Sequence, residues 1–169
     1  MKKITLLILM LFFSVTGFSQ FSEGFEGTTV PNLVTKQWAL GSGTWGVFDN
    51  GVGLTRSWSV NSGVTTPPTP PLVHGGANAA YMDRENIGIG NTSQDFLATP
   101  LIDVPANGEL KFWSRTLQNG NQGTIYKIMV SAAPGSQTPP SACTLIQQLT
   151  EEELVTTYNI YEEKSVNLA

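Results

Sequence analysis

Beyond its first twenty residues the chain alternates between apolar and polar positions in short stretches closed by Gly, Asp, Asn or Pro. Period two marks a strand with one buried face. Phe21-Ser22-Glu23-Gly24-Phe25-Glu26 alternates and breaks at Gly27. The stretch 44–48 ends at Asp49-Asn50-Gly51, a turn signature. The stretch 79–82 ends at Asp83, and 96–104 carries Pro100, which predicts an edge or a bend. In 110–117, Leu110 and Phe112 fall on one face and Trp113 and Arg115 on the other. In 125–132, Tyr126, Ile128 and Val130 share a face. The residues 164–168 read as a further strand. Helix is confined to one place: Thr150-Glu151-Glu152-Glu153 has the form of a capping box and predicts one or two turns through Thr156. Short strands between Gly-rich turns predict an all-β, two-sheet antiparallel sandwich.

The first twenty residues follow a different rule. Lys2 and Lys3 precede an apolar run over 4–13 broken only by Thr5, and Gly17 and Ser19 stand at minus three and minus one to a cut before Gln20. That is the order of a secretory signal peptide. A spanning helix needs about 20 apolar residues, and Ser14 and Thr16 interrupt this one. The division expected is therefore 1–19 as signal peptide and 20–169 as one domain. The proline cluster 65–71 reads as a stiff loop within that domain, since a split there leaves pieces too small to bury good cores. Pro139-Pro140 marks a second loop. No closing turn follows 164–168, so the domain is expected to be incomplete at its C-terminus, the N-terminal part of a longer secreted protein.

Charge narrows the partners. All thirteen acidic residues lie beyond the leader, against seven of the nine basic ones. Those seven are scattered and form no patch of the kind phosphate contacts require, which excludes nucleic acid. No second apolar stretch approaches spanning length, so no membrane span is expected in the mature chain. Cys143 stands alone and reads as a small buried hydrophobe rather than a nucleophile, with His74 the sole histidine available as a base.

The opening Phe21-Ser22-Glu23-Gly24-Phe25-Glu26-Gly27, followed by Pro31 and Trp38, resembles the start of the choice-of-anchor J domain, a family overlapping the cleaved-adhesin domains and similar to MAM domains. Trp45, the stretch 76–80 and Asp95-Phe96-Leu97-Ala98-Thr99-Pro100-Leu101-Ile102-Asp103 extend the resemblance, and 110–113 and 126–131 fit the next two strands. It covers roughly residues 21–168. It implies a jelly-roll sandwich, secretion in Bacteroidetes-like bacteria and a role in adhesion. It also implies a Ca2+ ion at the sheet edge, held by carboxylates at positions matching Glu23, Glu26 and Asp95. Alternation places Glu23 on the Phe21 and Phe25 face and Glu26 opposite, so both reach one ion only if Gly24 or Gly27 allows a bulge.

Other chemistry is sparse. Asp49-Asn50-Gly51 and the stretch 83–86 lack calcium-loop spacing and read as turns. The sequon Asn91-Thr92-Ser93 is set aside because the leader looks bacterial. Among the four tryptophans, Trp38 and Trp113 are expected in the core, whereas Trp58, in the polar run 56–59, is the candidate for an exposed ligand-binding ring. No nucleophile elbow, zinc motif or phosphate loop occurs. These readings together predict no enzyme. They predict a secreted or cell-surface binding module for a glycan or an extracellular protein, with an accessory domain of a secreted enzyme or a structural spacer as alternatives.

Overall fold

The computed structural model describes residues 21–26, 37–53, 56–62, 73–132 and 143–168. The leader and the proline cluster lie outside these residues, as do Gly27, Pro31 and Pro139-Pro140. Nearly all the regular structure is antiparallel β, in keeping with the period-two pattern. The strands are β1 (Gln37–Leu40), β2 (Gly43–Asp49), β3 (Ser59–Ser62), β4 (Asn78–Tyr81), β5 (Asp95–Ala98), β6 (Glu109–Ser114), β7 (Ile125–Val130), β8 (Thr144–Thr150) and β9 (Glu162–Asn167), with one helical turn, α1 (Glu151–Leu154).

The pairing is nested, and the nest occurs twice. β2 pairs with β5 and encloses the β3–β4 hairpin in sequence, while β1 adds to the other edge of β2. β6 pairs with β9 and encloses β7–β8 in the same way. Each nest has its own buried cluster. The first is Trp38, Trp45 and Val47, with Trp58, Val60 and Leu97 among the side chains packed on it. Trp38 and Trp45 face each other across the β1–β2 ladder. The second cluster is Leu149, Leu154 and Val155, flanked by Phe112 and Tyr126.

Local chemistry sets several boundaries. The capping box forms as the sequence predicts: Thr150 accepts from the Glu153 N–H, and the Glu153 carboxylate accepts from the Thr150 N–H at 2.7 Å. The Thr150 N–H and hydroxyl, both donating to the Glu153 carboxylate, hold it below its ordinary range. β5 ends before Pro100, and the expected continuation to 104 leaves the sheet, with Leu101 72% and Val104 43% exposed. The Asp49-Asn50-Gly51 turn is built by side chains: Asp49 Oδ1 accepts from Gly51 N and Asn50 Oδ1 from Val52 N. β8 carries a bulge at Ile146, since Ile128 pairs with Gln147 and Met129 with Leu145.

A carboxylate contact near the surface fixes the return into β9. Glu162 Oε1 accepts from Thr156 N, Thr157 N and Thr156 Oγ1 at 2.7–2.8 Å, and Oε2 from Lys164 Nζ at 3.3 Å. The Thr156 and Thr157 donors, with Lys164, hold its pKa down at about 2 against an ordinary 4.5. A depressed folded pKa gives stability that is complete above the unfolded value and is lost as pH falls through the folded one. Urea midpoints are therefore expected to fall between pH 4.5 and about 2. Glu162→Gln should lower the midpoint at pH 6 and flatten this acid limb. An unchanged acid limb in that variant would show that other carboxylates carry it.

Candidate functional site

The opening segment 21–26 forms no ladder, contrary to the strand its alternation suggests. Its burial still alternates: Phe21, Glu23 and Phe25 are half-buried, and Ser22, Gly24 and Glu26 are exposed. The Phe25 N–H donates to the carboxylate of Glu23, and Phe25 sits at φ 60. This turn carries Phe21 and Phe25 onto Trp45, with ring centroids 6.0 and 5.4 Å away, and Phe25 also meets the edge of Trp38.

The three carboxylates matched to a calcium site are drawn to three different places. Glu23 Oε2 accepts from the Ser42 hydroxyl and backbone N–H, and the Ser42 hydroxyl accepts from the Trp45 indole N–H at 3.0 Å. Glu26 Oε1 accepts from Ala77 N at 2.8 Å and Asn78 N at 3.1 Å, at the entry to β4. Asp95 pairs with Asp49 and accepts from the Ser93 hydroxyl at 2.9 Å. Ser42 precedes the first residue of β2 and Asp49 is its last, so Glu23 and Asp95 stand about 20 Å apart along that strand. One Ca2+ with ligands near 2.4 Å does not span that gap. Among the described residues no group of three or more His, Cys, Asp or Glu side chains is arranged to hold a metal. The structure therefore does not bring Glu23, Glu26 and Asp95 together around one ion. The two glutamates act as a clasp that ties the opening segment to β2 and β4 by charge-assisted hydrogen bonds. Millimolar calcium and excess chelator should give the same melting temperature for the full chain. A calcium-dependent rise would contradict the clasp as a sufficient account.

The tryptophans also depart from expectation. Trp38 is buried at 1% exposure, as anticipated. Trp58, expected to be exposed, is half-buried against the first cluster and donates its indole N–H to the Asp95 carbonyl at 3.3 Å. Trp113, expected in the core, is 46% exposed. Alternation explains it: Leu110, Phe112 and Ser114 face inward from β6, so Trp113 must face outward.

Around Trp113 the described residues gather an aromatic shelf. The His74 imidazole stacks on the indole with centroids 4.0 Å apart and planes 12° apart. Tyr161 meets His74 edge-on at 5.4 Å and hydrogen-bonds its backbone. The Arg115 guanidinium lies 5.7 Å from the Tyr161 ring centre and also donates to the Asn159 side chain. Burial raises the Tyr161 hydroxyl pKa, with Arg115 opposing that shift. Cys143, half-buried just before β8, has no part in this cluster. A polar cavity of about 110 Å³ lies elsewhere, lined by Asn119, Glu151, Thr156 and Tyr158 among others.

No family model matches the sequence, and no curated protein or solved structure matches it. Among the described residues no helix is long and apolar enough to cross a membrane.

Proposed function

We propose that this chain is an exported, non-catalytic recognition module that works in adhesion at a cell surface or in the secreted fraction. The observation that carries the reading is the exposed Trp113, held by His74 on the outer face of the β6–β9 pair. A large aromatic ring left in water on a strand whose alternate residues pack inward is an informative exposure, because its burial in a partner is favourable. The leader-like residues 1–20 support export. The nested antiparallel pairing supports a jelly-roll relative of the choice-of-anchor J kind, and the clasp gives the opening motif of that resemblance a structural role.

The reading is tested by screening the full chain for saturable binding to immobilised glycans and extracellular matrix proteins, with product analysis on the same ligands. Binding without turnover is expected. Turnover lost on neutralising a carboxylate pair would make the chain an enzyme, and neither binding nor turnover would make it a spacer.

A further inference from the structure

The outward side chains of β6 are Glu109, Lys111 and Trp113, and those opposite on β9 are Asn167, Ser165 and Glu163; all six are exposed. We infer that this face is a binding site for an uncharged, hydroxyl-rich glycan, with Trp113 as the stacking platform and Glu163 as the hydroxyl acceptor beside it. The inference rests on the recognition reading above and narrows its ligand.

Three observations select that ligand. First, Trp113 and Glu163 are direct cross-strand partners, which places their Cβ atoms about 5 Å apart. An apolar ring face beside a carboxylate suits a pyranose, whose C–H face is apolar and whose rim donates hydroxyl protons. Second, these six side chains carry one net negative charge, two carboxylates against one ammonium. Lys111 is paired with Glu109 at 3.2 Å, and the Ser165 hydroxyl donates to the same Glu109. The Glu163 carboxylate is left beside the ring with no hydrogen bond or ion pair to any described residue. A carboxylate there repels sulfated or uronic ligands and nucleic acid. Third, the rings do not form a cage. His74 and Trp113 lie parallel and in contact, and Arg115 already stands over Tyr161. A cage for a quaternary ammonium needs separated aromatic faces around the cation, so no such cage is built here. His74 covers one indole face and holds the ring in place, so little side-chain freedom is lost on binding.

The test titrates the full chain with neutral β-glucan, mannan and galactan oligosaccharides, with heparin as the charged comparison and fibronectin and collagen as protein comparisons. Indole fluorescence and calorimetry report binding. Saturable, salt-independent binding to a neutral oligosaccharide is expected. Trp113→Ala should weaken it about tenfold or more, and Trp113→Phe should recover part of the loss. Ile89→Ser, altering a residue fully exposed in the 84–94 loop, should leave binding unchanged. Melting temperatures of all variants are measured alongside, so that an unfolded variant is not scored as a non-binder. Neutral-glycan binding unaffected by Trp113→Ala and Trp113→Phe would overturn the placement. Binding to heparin alone, or to a matrix protein alone, would overturn the glycan inference and leave the recognition reading standing. No saturable binding to any of these ligands would overturn both.

Discussion

Replacing Trp38 by alanine is expected to destabilise the protein by about 3–5 kcal/mol, the usual cost of emptying a buried aromatic site. Trp38 is 1% exposed, pairs across the ladder with Trp45, and receives the edge of Phe25. Its loss removes the floor on which the opening segment rests. For a domain of this size the melting temperature should fall by roughly 10 °C. Trp38→Phe should cost much less. Among the described residues the Trp38 indole N–H has no hydrogen-bond partner, so phenylalanine removes a buried, unpaired donor while keeping most of the ring. Thermal and urea unfolding of both variants check the ordering. Equal losses would mean that the indole N–H has a partner that matters.

The second large effect is expected at Gly76. This residue sits at φ 69, and a Cβ there would collide with the Glu26 carboxylate. Gly76→Ala should cost about 1–2 kcal/mol for the left-handed backbone. Displacing Glu26 from the Ala77 and Asn78 N–H groups adds about 1 kcal/mol. Glu26→Ala alone should cost only that smaller part. Because both substitutions break the same contact, the double variant should be less destabilised than the sum of the two singles. Strict additivity in a double-mutant cycle would show that Glu26 and Gly76 act independently and would remove the clasp.

Much of the fold was legible in period-two alternation, and the misses have physical causes. Strands β2, β4, β6 and β7 were readable because one face of each is apolar and a turn signature closes most of them. β3 was hidden because Ser59-Val60-Asn61-Ser62 offers a single apolar residue and is held by its ladder to β4. β8 was hidden because the bulge at Ile146 shifts Leu145 out of phase with Leu149. The opening segment alternates like a strand, but Glu23 accepts from the Phe25 N–H and turns it. The three carboxylates matched to calcium lie apart for a related reason: sequence shows which carboxylates exist, not which backbone N–H groups will claim them. The exposure of Trp113 was implicit in its phase, opposite Leu110 and Phe112. The expectation that large rings seek the core masked it. The arrival of His74 beside it depends on tertiary placement that no local pattern encodes.

The Trp113 face is the proposed meeting place of this protein and its partner. The most direct measurement compares native protein and Trp113→Ala on one array of neutral glycans, charged glycans and matrix proteins, after equal melting temperatures have been established. The account predicts saturable binding by the native chain and loss of about tenfold or more in affinity for the variant. Equal binding by both proteins, or binding by neither, would contradict it.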